Sequence, residues 1–588
     1  MTVDSIAASP AAISPASQTG LSRNRLTRAL SAHGPAAAVG LALGLLALGP
    51  GIGRGFLLSY DMVFVPSPPF SSALLGLNGG PARAVPSDAM ITVAARVLPA
   101  DIAQKLILLL IFAAACSGAA ALLAAGYRGS RGTRAPVLAC LASGVFYTWN
   151  PFVAERLLIG QWALLLGYAA LPWVLREMCT GPVRIRWGRL LVCLLPAAVG
   201  GFAALIVTGL AVVPASLARG SAAQRCRRLA VAVAMLGLLS LPWLIPSVLV
   251  PVHTDPAGAS LFAARADTPF GRAGSLALLS GIWNSQTVPR GYGGAGSFFW
   301  LLVVACAVAC YVLLARPQRG WTGLGSAAAV GLVIAAIGVT SPTRALLHGL
   351  VAVWPGIAVL RDGQQFVAAL ALLEAVGLGA GVARLLGIVR PPINRRSSRH
   401  GGEPAAAALA VLAMLAPLVL LPGLAWGLAG RLRPVEYPAD WLAARQLIDK
   451  SPHSGSVLIL PWAAYRRYGW DNNEAVYDPW NKLLSREVIS NDGLQVGSKS
   501  LAQESAASIR LNRIVTGHGP LTGPLRSAGV RFVVVDAGPL LTAQPTGQAA
   551  QDSLATHVRL PGARVLLASH DLVVFQLPET GRPAASGG

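Results

Sequence analysis

The sequence predicts an α-helical polytopic membrane protein with about eleven transmembrane helices and a small C-terminal α/β domain. The chain has 588 residues, of which 54% are hydrophobic and 12% are charged. Soluble domains carry about 25% charged residues. The apolar residues occur in blocks of about 18–25, long enough to cross about 30 Å of hydrocarbon. A soluble fold would need many helices that are apolar on every side, and we exclude that class.

The net charge of +23 lies mainly in short arginine-rich segments between the apolar blocks. These segments are 23–28, 128–134, 184–189, 219–228, 316–319 and 384–399. Such loops are typical of the cytoplasmic face of a membrane protein, where anionic lipids hold them. The pattern argues against nucleic-acid binding. It predicts a cytoplasmic N-terminus and an extracytoplasmic C-terminal domain.

The pattern also predicts four segments along the chain. They are a disordered cytoplasmic tail (1–33), a transmembrane domain (34–429) with outer loops 55–100, 253–297 and 341–365, an extracytoplasmic α/β domain (430–577) and a disordered tail (578–588). A further short outer loop, 149–156, joins the third and fourth spans, so that 253–297 is the third outer loop. In the α/β domain we expect strands at 456–460 and 530–535, a hairpin over 563–577 and a helix over 440–450.

One segment of the transmembrane domain is too short for two full spans. Arg189 and Arg219 bracket 29 mostly apolar residues, whereas two spans need about 40. Pro196 and the pair Gly200-Gly201 stand near the middle. We therefore expect two short helices or a re-entrant hairpin there, shielded by protein.

Acidic residues at the membrane edge are the first candidates for chemistry, because burying a charge there is costly. Asp61 and Asp88 in the first outer loop are the candidate catalytic residues, of which one would take the proton of an acceptor hydroxyl. Their alternative role is structural, as a pairing of Asp61 with Arg54 would be.

Other polar residues of the predicted outer loops are candidates for substrate binding. Arginine suits the bidentate recognition of a phosphate, and tryptophan suits stacking on a sugar. The candidates are Glu155, Arg156, Trp283, Asn284, Arg361, Asp362 and Gln365. Trp462, Trp470 and Trp480 in the α/β domain suit either sugar stacking or core packing.

The sequence gives little support for other kinds of site. The seven cysteines show no metal-ligand spacing, and His253 and His348 have no second histidine nearby. A divalent cation, Mg²⁺ or Mn²⁺, held by carboxylates stays open. The sequence contains no phosphate-binding loop and no nucleophile elbow. An ATP-driven pump or a hydrolase of the soluble type is therefore disfavoured.

The chain resembles the GT-C superfamily of membrane glycosyltransferases, and more narrowly its actinobacterial envelope members and YfhO-like proteins. The segments that carry the resemblance are 59–66 (SYDMVFVP), 149–156 (WNPFVAER), 360–366 (LRDGQQF), 457–462 (VLILPW) and 477–479 (YDP). The resemblance implies a polyprenyl-phosphate-sugar donor and an inverting transfer to an envelope polysaccharide or glycolipid.

In that superfamily the catalytic acid typically lies in the first outer loop, and Asp61 occupies the matching position. The commonest motif has two neighbouring acids, whereas Asp61 is flanked by Tyr60 and Met62. Asp88 could supply the second carboxylate, the site could use one acid, or catalysis could be lost.

The predicted function is thus a glycosyltransferase of the plasma membrane that moves a sugar, arabinofuranose or mannose, on the outer face. The alternatives are a non-catalytic scaffold that binds envelope glycans, and a flippase or transporter of lipid-linked glycans.

Overall fold

The computed structural model describes residues 33–77, 84–131, 135–250, 253–315, 321–387, 403–496, 499–536, 559–569 and 572–579. The predicted tails fall almost wholly outside these ranges. The helices of the first 430 residues are α1 (His33–Ile52), α2 (Ser87–Ala94), α3 (Ala100–Arg131), α4 (Val137–Thr148), α5 (Pro151–Leu158), α6 (Trp162–Leu175), α7 (Trp187–Leu217), α8 (Ala222–Leu249), α9 (Gly258–Leu261), α10 (Gly271–Ala277), α11 (Gly296–Cys310), α12 (Thr322–Ala336), α13 (Ser341–Val353), α14 (Ala368–Leu385), α15 (Glu403–Leu420) and α16 (Ala425–Gly430).

Within the described ranges, seven helices are long and apolar enough to cross a membrane. Two bent pairs raise the number to nine when each pair counts as one span. The chain bends by 89° between α12 and α13, and by 61° after α15. The chain is therefore a multi-pass membrane protein, and the predicted fold class is confirmed.

Helix α7 reverses direction at Gly201, whose φ of 75° lies outside the helical region. Arg186, just before α7, pairs with Glu177 at 2.8 Å. Arg219, just after α7, donates to the carbonyl of Cys179 at 2.7 Å. A straight helix of 31 residues would be about 46 Å long. Both ends of α7 therefore contact the turn that contains Glu177 and Cys179, which means that α7 folds back on itself as the predicted hairpin requires.

The described part of the chain has nine candidate spans where the sequence predicted eleven, and two short segments account for the difference. The first is α6, whose 14 residues extend about 21 Å and so fall short of the hydrocarbon thickness. The second is the returning arm of α7, which is merged with the outgoing arm in the count of spans. Both segments pack inside the bundle, where protein shields them.

The expected outer loop 149–156 is mostly helix α5, and this expectation is corrected. Asn150 caps the helix, because its side-chain oxygen accepts a hydrogen bond from the Val153 amide at 3.1 Å. Pro151 then occupies the first turn, where no amide donor is needed. Every residue of α5 is buried.

The C-terminal part of the chain forms a small α/β domain. Its helices are α17 (Ala439–Lys450), α18 (Trp480–Leu483), α19 (Ala506–Thr516) and α20 (Thr522–Ser527). The strands of the chain are β1 (Phe56–Leu57), β2 (Pro434–Val435), β3 (Ser456–Leu460), β4 (Tyr465–Arg467), β5 (Ala475–Tyr477), β6 (Val488–Ile489), β7 (Leu494–Val496), β8 (Lys499–Leu501), β9 (Val530–Asp536), β10 (Arg564–Ala568) and β11 (Leu572–Gln576).

The main sheet has the order β10-β11-β9-β3-β6. Strand β3 is parallel to β9 and β6, whereas β9, β11 and β10 are antiparallel neighbours. The predicted strands, helix and hairpin are confirmed. Residues 570–571 of the predicted hairpin turn lie outside the described ranges.

The α/β domain is seated directly on the first outer loop. Strand β1 pairs with β2, with Phe56 opposite Val435. The Tyr437 hydroxyl donates to the Phe64 carbonyl at 2.9 Å. Trp480 stacks on Trp441 at 4.4 Å in the aromatic core behind this contact. Core packing therefore accounts for Trp480.

Candidate active site

The backbone around Asp61 is fixed by the turn between α5 and α6. The Asp61 amide donates to the carbonyl of Ile159 at 3.2 Å, and the Ser59 hydroxyl donates to the carbonyl of Leu158 at 2.5 Å. At Gly160, with φ +79°, a Cβ would lie 2.1 Å from the Ser59 oxygen. Only glycine permits this approach, so the turn holds Asp61 closely.

The α/β domain holds the same segment from the other side. Tyr60 has φ 42° and inserts beside β5. Its amide donates to the carbonyl of Ala475 at 2.5 Å, and its carbonyl accepts from the amide of Tyr477 at 2.9 Å. The Tyr465 hydroxyl on β4 donates to Oδ1 of Asp61 at 2.5 Å. Asp61 is exposed at this junction, so a substrate can reach its carboxylate.

The third outer loop closes on the Tyr60 side chain. The Tyr60 hydroxyl donates to Gln286 at 2.6 Å, and Arg467 donates to the same oxygen at 3.0 Å. Burial raises the pKa of Tyr60, which a hydrogen bond with Asn284 opposes. Tyr60 therefore stays protonated and donates. Trp283 packs in the same cluster of side chains.

Of the sequence candidates, the structure thus brings Trp283 and Asn284 to the Asp61 junction. Asn284 also caps its own loop by accepting from the Gln286 amide at 3.0 Å. Trp283 lies edge-on to Phe262, with 4.9 Å between the ring centroids. Both residues are held by packing as well as by the junction.

Asp88 contacts a different part of the α/β domain. Its Oδ1 accepts from Nζ of Lys482 at 2.9 Å. The pair lines a small open pocket of about 50 Å³ whose wall includes Val63, Phe64 and Trp162. The pocket therefore begins two residues after Asp61, but the carboxylate of Asp88 is used in an ion pair at the junction.

Arg156 lies in a buried network that joins two predicted outer segments. Its guanidinium donates to Asp362 at 2.8 and 3.2 Å, to Gln364 at 2.8 Å and to Gln161. Gln364 in turn donates to Glu155 at 3.1 Å. Arg156 is wholly buried. The network fixes the two segments to each other, and the donors of Arg156 are already occupied.

Arg361 and Gln365 lie next to this network. Arg361 lies over the Phe262 ring at 4.6 Å and pairs with Glu504 at 3.5 Å. Gln365 is buried and donates to the carbonyl of Val359 at 3.1 Å. Phe262 thus connects Arg361 to Trp283, and the third outer loop is packed against the segment before α14.

Three arginines are functional candidates that sequence reasoning missed: Arg431 and Arg467 beside Tyr60, and Arg290 next to Arg431. The positive charges of Arg467 and Arg431 lower the pKa of Tyr60, against the larger effect of burial. Burial lowers the pKa of Arg431, which forms a salt bridge of 3.9 Å with Glu474, and Arg290 and Arg467 lie close enough to lower it further. They come from three distant parts of the chain. No local pattern in the sequence could have grouped them.

The helix α16 next to these arginines has an unusual backbone. Trp426, Leu428 and Ala429 have φ values of 58°, 51° and 57°, so the turn is left-handed. Each such residue costs about 1–2 kcal/mol. Arg290 donates to the carbonyl of Ala429 at 3.1 Å. The Trp426 side chain is 64% exposed beside the arginines.

No known family profile matches the sequence, and no curated protein matches it. Among solved structures, the chain is similar to the arabinofuranosyltransferase AftD from Mycobacteria, with a TM-score of 0.57 and 16% identity. The match covers 94% of this chain and 40% of the AftD chain. A mutant form of AftD gives a TM-score of 0.58 at 16% identity, with 94% and 42% covered.

This chain therefore spans about two fifths of the length of the AftD chains that it matches. At this level of identity the likeness is one of fold. The chain has the fold of the part of AftD that it matches, which agrees with the fold that the sequence resemblance implies.

Proposed function

We propose that the protein is a glycosyltransferase that moves a sugar from a polyprenyl-phosphate donor to an envelope polysaccharide or glycolipid. The observation that carries this proposal is the position of Asp61. Its exposed carboxylate is fixed by the membrane bundle on one side and by Tyr465 of the α/β domain on the other. Such positioning on two rigid supports is what a general base requires.

The reaction balances with one proton acceptor. Asp61 takes the proton of the acceptor hydroxyl as its oxygen attacks the anomeric carbon. The new glycosidic bond forms while the bond from that carbon to the phosphate oxygen breaks. The polyprenyl phosphate leaves as an anion, and the configuration is inverted. The Tyr465 hydroxyl orients the carboxylate, so the base acts singly while Asp88 remains paired with Lys482.

The leaving phosphate would be stabilised by Arg290, Arg431 and Arg467. Cations aimed at developing charge are a major source of catalysis, and arginine matches phosphate geometry. Arg467 already donates to Gln286 beside Tyr60. The exposed Trp426 beside the arginines gives the isoprenoid chain an apolar contact at the membrane boundary. The similarity in fold to the arabinofuranosyltransferase AftD favours arabinofuranose over mannose as the sugar.

The residues present do not fit a resident divalent cation. Within the described ranges, no three histidine, cysteine, aspartate or glutamate side chains converge as ligands. The Asp61 carboxylate accepts from Tyr465 instead. No step of the proposed reaction passes through Mg²⁺ or Mn²⁺.

We also propose the plasma membrane as the location, with a cytoplasmic N-terminus and with Asp61 and the α/β domain outside. The arginine-rich turns at both ends of α7 lie at the far end of α6 from Asp61. This distribution agrees with the positive-inside rule.

The test uses the full chain in lipid nanodiscs with polyprenyl-phosphate arabinofuranose, mannose, glucose or galactosamine. An envelope-glycan pool serves as acceptor, and products are followed by mass spectrometry. We expect one donor to be consumed by the wild type and turnover to collapse in Asp61→Asn. Glu436→Gln, which neutralises an exposed carboxylate nearby, is the matched control.

Three outcomes would contradict the proposal. Full transfer by Asp61→Asn would remove Asp61 from the role of base. Binding of a donor without any turnover would favour a scaffold, and movement of an intact donor across a vesicle bilayer would favour a flippase.

A further inference from the structure

An open cleft of about 350 Å³ lies at the opposite face of the bundle from Asp61. It is formed where α6 ends at Arg176 and where α7 begins. Helix α6 starts beside Asp61, and its 14 residues extend about 21 Å. The cleft is therefore separate from the candidate active site.

The charges that line this cleft are mainly positive. Arg176, Arg186 and Arg189 line it together with Glu177. Glu177 is bound by both nitrogens of Arg186, at 2.8 and 2.9 Å. In the described part of the chain, neither Arg176 nor Arg189 has an acidic partner within 4 Å. The cleft thus holds three arginines and one glutamate, and that glutamate forms its salt bridge with Arg186.

The position of Arg176 concentrates this charge. Its guanidinium lies 5.7 Å from the Trp173 ring, in a cation–π contact. Arg128 and Arg189 are close enough to act on its charge, and so is Glu177. The two neighbouring cations repel the partly buried guanidinium of Arg176. An anion in the cleft would relieve this repulsion.

The flank of the cleft faces lipid. Val192 lines the cleft and is 65% exposed, and Leu195, one turn further along α7, is 47% exposed. Trp187, at the start of α7, is 69% exposed at the same level as the arginines. Tryptophan is typical of the headgroup level of a bilayer. The exposed face of α7 thus offers acyl chains a path to the arginines.

We propose that this cleft binds the phosphate headgroup of an anionic phospholipid from the leaflet on this face. Arg176 and Arg189 bind the phosphate oxygens, Trp173 packs against the headgroup, and the acyl chains lie along Val192 and Leu195. A soluble phosphate would use the arginines but not the apolar flank. The site therefore belongs to a lipid.

The native Cys193 reports on occupancy without any mutation, because it lines the cleft. Cys226 is an exposed cysteine on the same face and serves as the internal control. The purified protein in micelles is treated with N-ethylmaleimide and either phosphatidylglycerol or phosphatidylcholine. We expect phosphatidylglycerol to slow modification of Cys193 about fivefold or more, with Cys226 unchanged.

A charge-matched pair of variants tests the arginines. Native mass spectrometry should show phosphatidylglycerol binding reduced about tenfold or more in Arg176→Gln/Arg189→Gln. Arg184→Gln/Arg227→Gln removes the same charge from this face outside the cleft and should bind as the wild type does. Equal losses of phosphatidylglycerol binding in both double variants would mean that the lipid responds to the net charge of this face and not to a site in the cleft. Displacement of the lipid by millimolar inorganic phosphate, or equal protection by phosphatidylcholine, would overturn the assignment.

Discussion

At the scale of single residues, Tyr465 is the side chain through which the α/β domain contacts the candidate base. Replacing it with phenylalanine removes the hydrogen bond to Asp61 and keeps the aromatic ring. Hydrogen bonds to a charged group are worth about 1.5–3 kcal/mol, so we expect kcat to fall by about 10- to 100-fold.

This loss should appear in kcat and leave the KM for the donor near the wild-type value, since Tyr465 acts through Asp61. Tyr127→Phe on α3 is the control for losing a buried tyrosine hydroxyl elsewhere. A Tyr465→Phe variant with unchanged kcat would show that Asp61 needs no such orientation.

Asp471 should make the stability of the α/β domain depend on pH. Burial, with a contribution from Glu474, raises the pKa of its carboxyl to about 8. Its Oδ2 has no hydrogen-bond partner in the described structure. The folded state therefore holds a proton that the unfolded state releases near pH 4, and stability falls as pH rises from about 4 to 8.

Asp471→Asn should flatten this decline. We expect the melting temperature of the wild type to fall more steeply between pH 5 and 8 than that of the variant. Parallel curves for the two proteins would contradict a buried, protonated Asp471.

At the scale of elements, the turn between α5 and α6 should tolerate no side chain at Gly160. A Cβ would lie 2.1 Å from the Ser59 oxygen and 2.2 Å from the Met62 nitrogen, both of them backbone atoms. Gly160→Ala should displace Asp61, and a shift of about 1 Å in a catalytic group costs roughly 100-fold in rate.

The matched control is Gly349→Ala in α13, where a Cβ meets nothing within 4 Å. It should leave the activity unchanged. Wild-type activity in Gly160→Ala would mean that the turn does not position the carboxylate.

A glycine in the left-handed helix α16 should stabilise the protein. Ala429 has φ 57°, and glycine adopts this conformation without the penalty of about 1 kcal/mol or more. We expect Ala429→Gly to raise the melting temperature. Ala408→Gly in the regular helix α15 should lower the melting temperature. A change in the same direction in both variants would contradict backbone strain at Ala429.

Elements were predictable where the signal is local. The reversal of α7 followed from 29 apolar residues between Arg189 and Arg219, with Gly200-Gly201 in the middle. Helix α5 was missed, although Asn150-Pro151 is a helix-start signature. The segment with Glu155 and Arg156 was predicted to be a loop. In the structure these two polar side chains are buried, where hydrogen bonds with Asp362 and Gln364 offset the cost of burying them.

At the scale of the whole molecule, the site was only half predictable. Asp61 is a candidate because of its place after the first span, and its role stays a prediction. Tyr465 is separated from it by 404 residues, and Arg290, Arg431 and Arg467 come from three segments. Such groupings depend on long-range packing, for which a single sequence carries no local signal.

The junction of the two domains should also depend on Asp88. The side chains of its ion pair with Lys482 are 16% and 21% exposed, and pairs that solvent still reaches contribute about 0.2–1 kcal/mol. We expect Asp88→Asn to retain most activity and to lower the melting temperature slightly. Lys482→Met should be non-additive with it in a double-mutant cycle. A collapse of turnover equal to that of Asp61→Asn would instead make Asp88 a second catalytic acid.

The span of 404 residues between Asp61 and Tyr465 has a consequence for biosynthesis. At about 5–20 residues per second, a ribosome makes the tyrosine about 20–80 s after the aspartate. Throughout that interval the first outer loop is already at the membrane, yet its carboxylate lacks the partner that orients it. If the proposed function holds, we expect a nascent chain to gain activity only after the α/β domain has folded, and a chain truncated before Tyr465 to transfer no sugar.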